Sequence, residues 1–99
     1  MSPHRRTIRI LLADDQSLFR QAMAQALNRE PDLEVVGEAL DGWEAVSSAQ
    51  AVQPDVAVIG SDLPGCDGIR AAGMIGVRVP SCQRNIRSDS WKSSDCFQT

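Results

Sequence analysis

The sequence predicts an α/β fold, a doubly wound parallel sheet with helices on both faces. Three observations carry this. Short, nearly continuous apolar runs alternate with stretches whose apolar residues recur every three to four positions. Asp14-Asp15, Pro31-Asp32 and Pro54-Asp55 punctuate the alternation. The connections are short, which favours right-handed crossovers between neighbouring parallel strands.

The first strand is Ile8-Arg9-Ile10-Leu11-Leu12-Ala13, an apolar run suited to a strand covered on both faces. Ser17 is placed to cap the helix that follows, in which Leu18, Phe19, Ala22, Met23, Ala26 and Leu27 form one apolar stripe. Arg20, Gln21, Gln25 and Arg29 fall mostly off that stripe. Leu33-Glu34-Val35-Val36-Gly37 reads as a second strand, rich in β-branched residues. Asp41 stands where an N-cap belongs, before a helix over 42–52 that turns Ala45, Val46, Ala49 and Val52 inward. Val56-Ala57-Val58-Ile59 is the third strand, followed by a loop over 60–68 and a weaker helix over 69–75. Beyond Gly76 the signal collapses, and Ser81 to Thr99 shows neither a period of 2 nor one of 3.6. A polar stretch of this kind buries too little apolar surface to offset its ordering entropy. The expected organisation is a partial domain over 7–76 and a disordered or non-native tail over 77–99.

Composition narrows the function. At 99 residues the chain holds one domain with a modest core. Aromatic residues make up only 4%, so that core rests on Leu, Ile, Val, Met and Ala. The net charge of −3 argues against nucleic-acid binding through its own surface. No apolar run approaches the roughly 18 residues that span a bilayer, and Asp14-Asp15 cuts short any signal-peptide pattern. A cytoplasmic location is expected. Cys66, Cys82 and Cys96 are odd in number and widely spaced, so free thiols are expected rather than a disulfide framework or a zinc site.

Ligands of open α/β sheets bind at the carboxyl ends of the strands, where strand order reverses. Asp14 and Asp15 end the first strand; Gly60, Ser61 and Asp62 end the third, its neighbour in a 2-1-3 order. Crowded carboxylates repel one another, and a hard divalent cation such as Mg²⁺ relieves that cost. An acidic pair before a helix also has a simpler explanation in the helix dipole. Asp62 and Asp67 also suit ordinary turns beside Pro and Gly.

The segments LLADDQSLFRQAMAQALNREPDLEVVGEALDGWEAV and PDVAVIGSDLPGCDGI resemble the receiver domain of bacterial two-component response regulators, closest to those with a LuxR-type helix-turn-helix output domain. The resemblance covers about residues 7–72. It implies a flavodoxin-like receiver fold, here lacking strands 4 and 5, and a Mg²⁺ site in which Asp15 is the direct carboxylate ligand and Asp14 its companion. It places Asp62 at the position whose backbone carbonyl completes that site, and Pro64-Gly65-Cys66-Asp67-Gly68 at the family's turn. It implies a histidine kinase as phosphodonor and transcription regulation through a DNA-binding domain not visible in this sequence. The family's phosphoacceptor aspartate falls on Gly60, which has no side chain to phosphorylate. Lys92, the only lysine, follows no strand and is not assigned to the family's switch lysine.

The segment from Cys82 to Lys92, back-translated with permitted codons and read one base later, yields Ala-Asn-Val-Ile-Phe-Val-Leu-Thr-Ala-Gly. That string is similar to the family's fourth strand with its threonine, so a frameshift after about Ala72 is expected. Three functions compete: a phosphorylation-incompetent receiver, an interaction module that works unphosphorylated (or a non-functional truncated product), and a Mg²⁺-dependent phosphohydrolase. The hydrolase is weakest, because it needs a nucleophilic carboxylate where Gly60 stands. An uncovered strand edge and helix stripe lead to expected marginal folding, aggregation, a receiver–receiver dimer or dependence on a partner.

Overall fold

Backbone pairing realises the predicted alternation and carries it one strand further. The computed structural model describes residues 7–60 and 63–87. Its elements are β1 (Ile8–Ala13), α1 (Ser17–Asn28), β2 (Leu33–Ala39), α2 (Gly42–Val52), β3 (Val56–Gly60), α3 (Gly68–Arg78) and β4 (Gln83–Arg87). The strands form one sheet in the order β2-β1-β3-β4, with every pair parallel. The 2-1-3 core of the expected order is therefore present.

The fourth strand corrects the expectation that the sheet stops at three. β4 pairs along the whole of β3, from Val56 opposite Gln83 to Gly60 opposite Arg87. Its residues from Gln83 to Ile86 are exposed, so burial does not mark this strand; pairing of its backbone with β3 does. Two buried residues anchor its approach, Val79 and Cys82, and Cys82 N–H donates to the Val79 carbonyl at 2.9 Å. The helix expected over 69–75 runs longer, as α3 continues to Arg78 before the turn into β4. Residues 88–99, with Lys92 and Cys96, lie outside the described residues, and no fifth strand occurs among those described.

The core lies between the sheet and the α2–α3 pair. Leu11 and Ala13 of β1 and Ala57 and Ile59 of β3 meet Ala45, Val46 and Ala49 of α2 and Ala71, Ala72 and Ile75 of α3, all buried. Alternation along the strands sends Leu12 and Val58 to the other face, toward Phe19 and Met23 of α1. That face is only partly covered. No residue of α1 is fully buried, and Leu18, expected in its apolar stripe, is 82% exposed. Val52, expected inward on α2, is half-buried.

Helix starts follow local chemistry in two of three cases. Asp41 caps α2 as expected, accepting the Glu44 N–H at 2.8 Å, and Asp67 caps α3 through the Arg70 N–H at 2.8 Å. Ser17 does not cap α1: Gln16 holds the N-cap position without a side-chain hydrogen bond. Glycine brings α2 against the loop before α3. A Cβ on Gly42 would lie 1.7 Å from the Cys66 carbonyl oxygen, and the Gly42 N–H reaches the Pro64 carbonyl at 3.3 Å. This contact packs the segment 64–66 against the start of α2.

Candidate functional site

Register brings the carboxyl ends of the strands to one edge. Ala13 pairs with Ala39 on one side and Ile59 on the other, so Asp14 and Gly60 emerge side by side. Asp14 is buried, 5% exposed, and is the one fully buried charged residue among those described. Its N–H donates to the Ala39 carbonyl at 3.0 Å, continuing the β1–β2 ladder by one step. One carboxylate oxygen, Oδ1, accepts the Gln16 N–H at 2.9 Å, closing a turn that leads into α1. The other, Oδ2, lies 3.1 Å from where a Cβ on Gly60 would stand. Asp15, next along, is exposed.

The structure places Asp14 and Gly60 side by side at this edge, with Asp15 following Asp14 in the chain. Asp62, the third expected metal-site residue, lies outside the described residues. Among the described residues no cluster of three or more His, Cys, Asp or Glu side chains converges on a point. Mg²⁺ needs no such cluster: it takes one or two carboxylates and fills its octahedron with carbonyl oxygens and water. The buried Asp14 carboxylate, the exposed Asp15 beside it and the side-chain-free position at Gly60 fit that demand. Gly60 has no side chain to add a carboxylate of its own.

Arg20 is a residue the sequence reading passed over as lying off the apolar stripe. Its side chain is only 11% exposed. Its Nη1 donates to the Asp14 carbonyl at 2.8 Å and its Nε to Glu38 Oε1 at 2.8 Å. The guanidinium thus ties the end of β1 to the end of β2 from the first turns of α1. The available signal was the pairing of a lone cation six residues after Asp14 with an acid at the end of the second strand.

A small cavity of about 10 Å³ opens between α1 and the sheet, directly below Asp14 and Gly60, with Leu12, Phe19, Met23 and Val58 around it. At roughly one water in size it holds no substrate. Near α3, burial pushes the Cys82 thiol above its ordinary value, while Arg84 pulls the other way. Among the described residues Cys66 and Cys82 are both free and buried; Cys96 lies outside them. No helix among the described residues is long and apolar enough to cross a membrane.

Comparison with known proteins agrees with this geometry. Residues 10–95 match the response regulator receiver domain family. A protein-glutamate methylesterase/protein-glutamine glutaminase of Geobacter sulfurreducens is 37% identical over 76 residues, covering 77% of this chain and 21% of that protein. The transcriptional regulatory protein LiaR of Bacillus subtilis is 50% identical over 42 residues, 42% of this chain and 20% of LiaR. Curated relatives of this kind are matched over 10% to 22% of their length, so the likeness stops at their receiver portion. Among solved structures, the response regulator domain of Thermotoga maritima CheB superposes with a TM-score of 0.81 at 32% identity, covering 90% of this chain and 65% of that one. A LuxR-family two-component response regulator from Aurantimonas superposes at 0.78 with 33% identity, covering 83% and 59%. The CheY of a Borrelia burgdorferi CheX-CheY-BeF₃-Mg²⁺ complex shares the fold at 0.78 with 19% identity, covering 92% and 68%. With a family match that spans most of its length and a sheet that carries the acidic pair at the expected edge, this chain belongs to the response regulator receiver domain family.

Proposed function

We propose that this receiver domain does not accept a phosphoryl group and acts in two-component signalling through the surface it presents unphosphorylated. One observation carries the reading. Gly60 ends β3 beside the buried Asp14 carboxylate and has no side chain of its own to act as nucleophile. Phosphotransfer to a receiver needs a carboxylate oxygen to attack phosphorus, and glycine offers none. A histidine kinase remains the partner the family implies, and a LuxR-type DNA-binding output is the regulator it would serve. Direct nucleic-acid contact, enzymatic turnover and a membrane role are not part of this proposal, and its place is the cytoplasm.

Asp14 and Asp15 would hold Mg²⁺, with the Asp62 carbonyl as the third protein ligand. The cation would offset the repulsion of the two carboxylates. Asp14 is held by its own turn with Gln16, which fixes its carboxylate against the end of β3. Asp15, exposed, is free to turn toward the cation. The phosphoryl mimic BeF₃⁻ tests the reading directly, because it binds an acceptor carboxylate. ¹⁹F NMR of the protein with Mg²⁺ and beryllium fluoride is expected to show only free fluoride species. A bound resonance in slow exchange, lost on Asp62→Asn, would overturn the proposal by identifying Asp62 as a working acceptor.

A further inference from the structure

We propose that Arg20 is a positioning residue for the acidic pocket, setting where Asp14 and Asp15 face a divalent cation. The inference rests on the Mg²⁺ reading above and assigns a role to a residue outside the ligand set. The guanidinium makes two bonds from two different nitrogens, one to the Asp14 carbonyl and one to Glu38 Oε1, each 2.8 Å. The first sets the plane of the peptide that joins Asp14 to Asp15. The second locks that guanidinium to β2, the strand whose last residue also receives the Asp14 N–H. The Asp14–Asp15 peptide is therefore held through its carbonyl, while the Asp14 side chain is held through Gln16. With both constrained, Asp15 departs from the strand end in one direction. A planar fork is required for this, since an ammonium is a point charge that cannot present two directed donors in fixed geometry.

Charge and position make opposite demands here, which makes the proposal testable by sign. As a mere positive charge near the pocket, Arg20 would oppose cation binding, and its removal would tighten Mg²⁺. As a positioning group it favours binding, and its removal loosens Mg²⁺. Partners that orient metal ligands typically change affinity by about 10- to 100-fold when lost.

The experiment titrates MgCl₂ alone into the wild-type chain, Arg20→Met, Arg20→Lys and Glu38→Gln, following amide resonances of residues 13–16 and 60. A thermal melt of each variant confirms that the titrated species is folded. Arg20→Met is expected to raise the Mg²⁺ dissociation constant about tenfold. Arg20→Lys, which keeps the charge and loses the fork, is expected to remain weakened, and Glu38→Gln, which still accepts from Nε, to stay within about threefold of wild type. Folded Arg20→Met that binds Mg²⁺ as tightly as wild type, or more tightly, overturns the proposal, as does full rescue by lysine. Wild type that shows no Mg²⁺ response, and no difference from Asp15→Asn, overturns the Mg²⁺ reading itself. The positioning role then stands or falls on amide exchange at Gln16, faster in metal-free Arg20→Met if the loop is held as described and unchanged if it is not.

Discussion

In the proposed reading, replacing Gly60 with aspartate puts a carboxylate at the acceptor position, and the structure fixes what this must cost. The new Cβ would lie 3.1 Å from Asp14 Oδ2 and 3.5 Å from the Ala13 carbonyl oxygen. The first contact is a few tenths of an ångström too close. Asp14 cannot swing freely to relieve it, because Oδ1 holds the Gln16 N–H. The two carboxylates would then sit on the order of 4–5 Å apart, and at an effective dielectric constant near 20 that is roughly 3–4 kcal/mol of repulsion. Removing a strand glycine returns about 0.5–1 kcal/mol. The expected net loss is about 2–3 kcal/mol, or roughly 10–20 °C in Tm for a domain of this size. Saturating Mg²⁺, at about 100 times its dissociation constant, restores about 2.7 kcal/mol. Thermal melts followed by circular dichroism, with and without MgCl₂, measure both halves. The reasoning is refuted if Gly60→Asp without metal is as stable as wild type, or if Mg²⁺ leaves its Tm unchanged.

Other expectations follow from single contacts. Asp67→Ala removes the side-chain cap of α3 and is expected to cost about 1 kcal/mol, seen as a drop of about 4–8 °C in the melt, whereas Asp67→Asn retains most of the cap. Burial covers both Cys66 and Cys82 and raises the Cys82 thiol, so both are expected to resist iodoacetamide at pH 8 in the native state and to alkylate on denaturation. Because the folded-state pKa of Cys82 is raised, its contribution to stability is constant below the ordinary thiol value of 9.0 and falls as pH rises beyond it. Denaturant midpoints between pH 7 and 10 check the sign, and a midpoint that climbs over that range contradicts it. The coding DNA for residues 82–92 is expected to yield Ala-Asn-Val-Ile-Phe-Val-Leu-Thr-Ala-Gly one base later. A single codon incompatible with that string excludes a frameshift there.

The elements that bury apolar side chains were legible in the sequence, and β4, whose own residues from Gln83 to Ile86 are exposed, was not. Ile8–Ala13 and Gly42–Val52 fall where their patterns place them, because β1 is covered on both faces and α2 packs its small residues on the sheet. β4 escaped notice because Gln-Arg-Asn-Ile-Arg has neither alternation nor β-branched density. An edge strand draws its order from the neighbour's hydrogen bonds, and charge on such an edge also discourages pairing with other chains. The placement of Asp14 and Gly60 at neighbouring strand ends was readable because each depends on residue identity there. Arg20 was not, because its role arises from Glu38 and the Asp14 carbonyl, partners 18 and 6 residues away that only the folded sheet brings together. Ser17 failed as a cap because the helix starts one residue earlier: the Gln16 carbonyl accepts the Arg20 N–H, so Gln16 is the N-cap and Ser17 the first helical residue.

Intact-mass spectrometry after incubation with acetyl phosphate and MgCl₂, run on wild type and Gly60→Asp side by side, weighs the central claim most directly. The account predicts no adduct on wild type and a gain of roughly 80 Da on the variant, the mass of one phosphoryl group. A wild-type chain that gains the same mass at the same rate would contradict it.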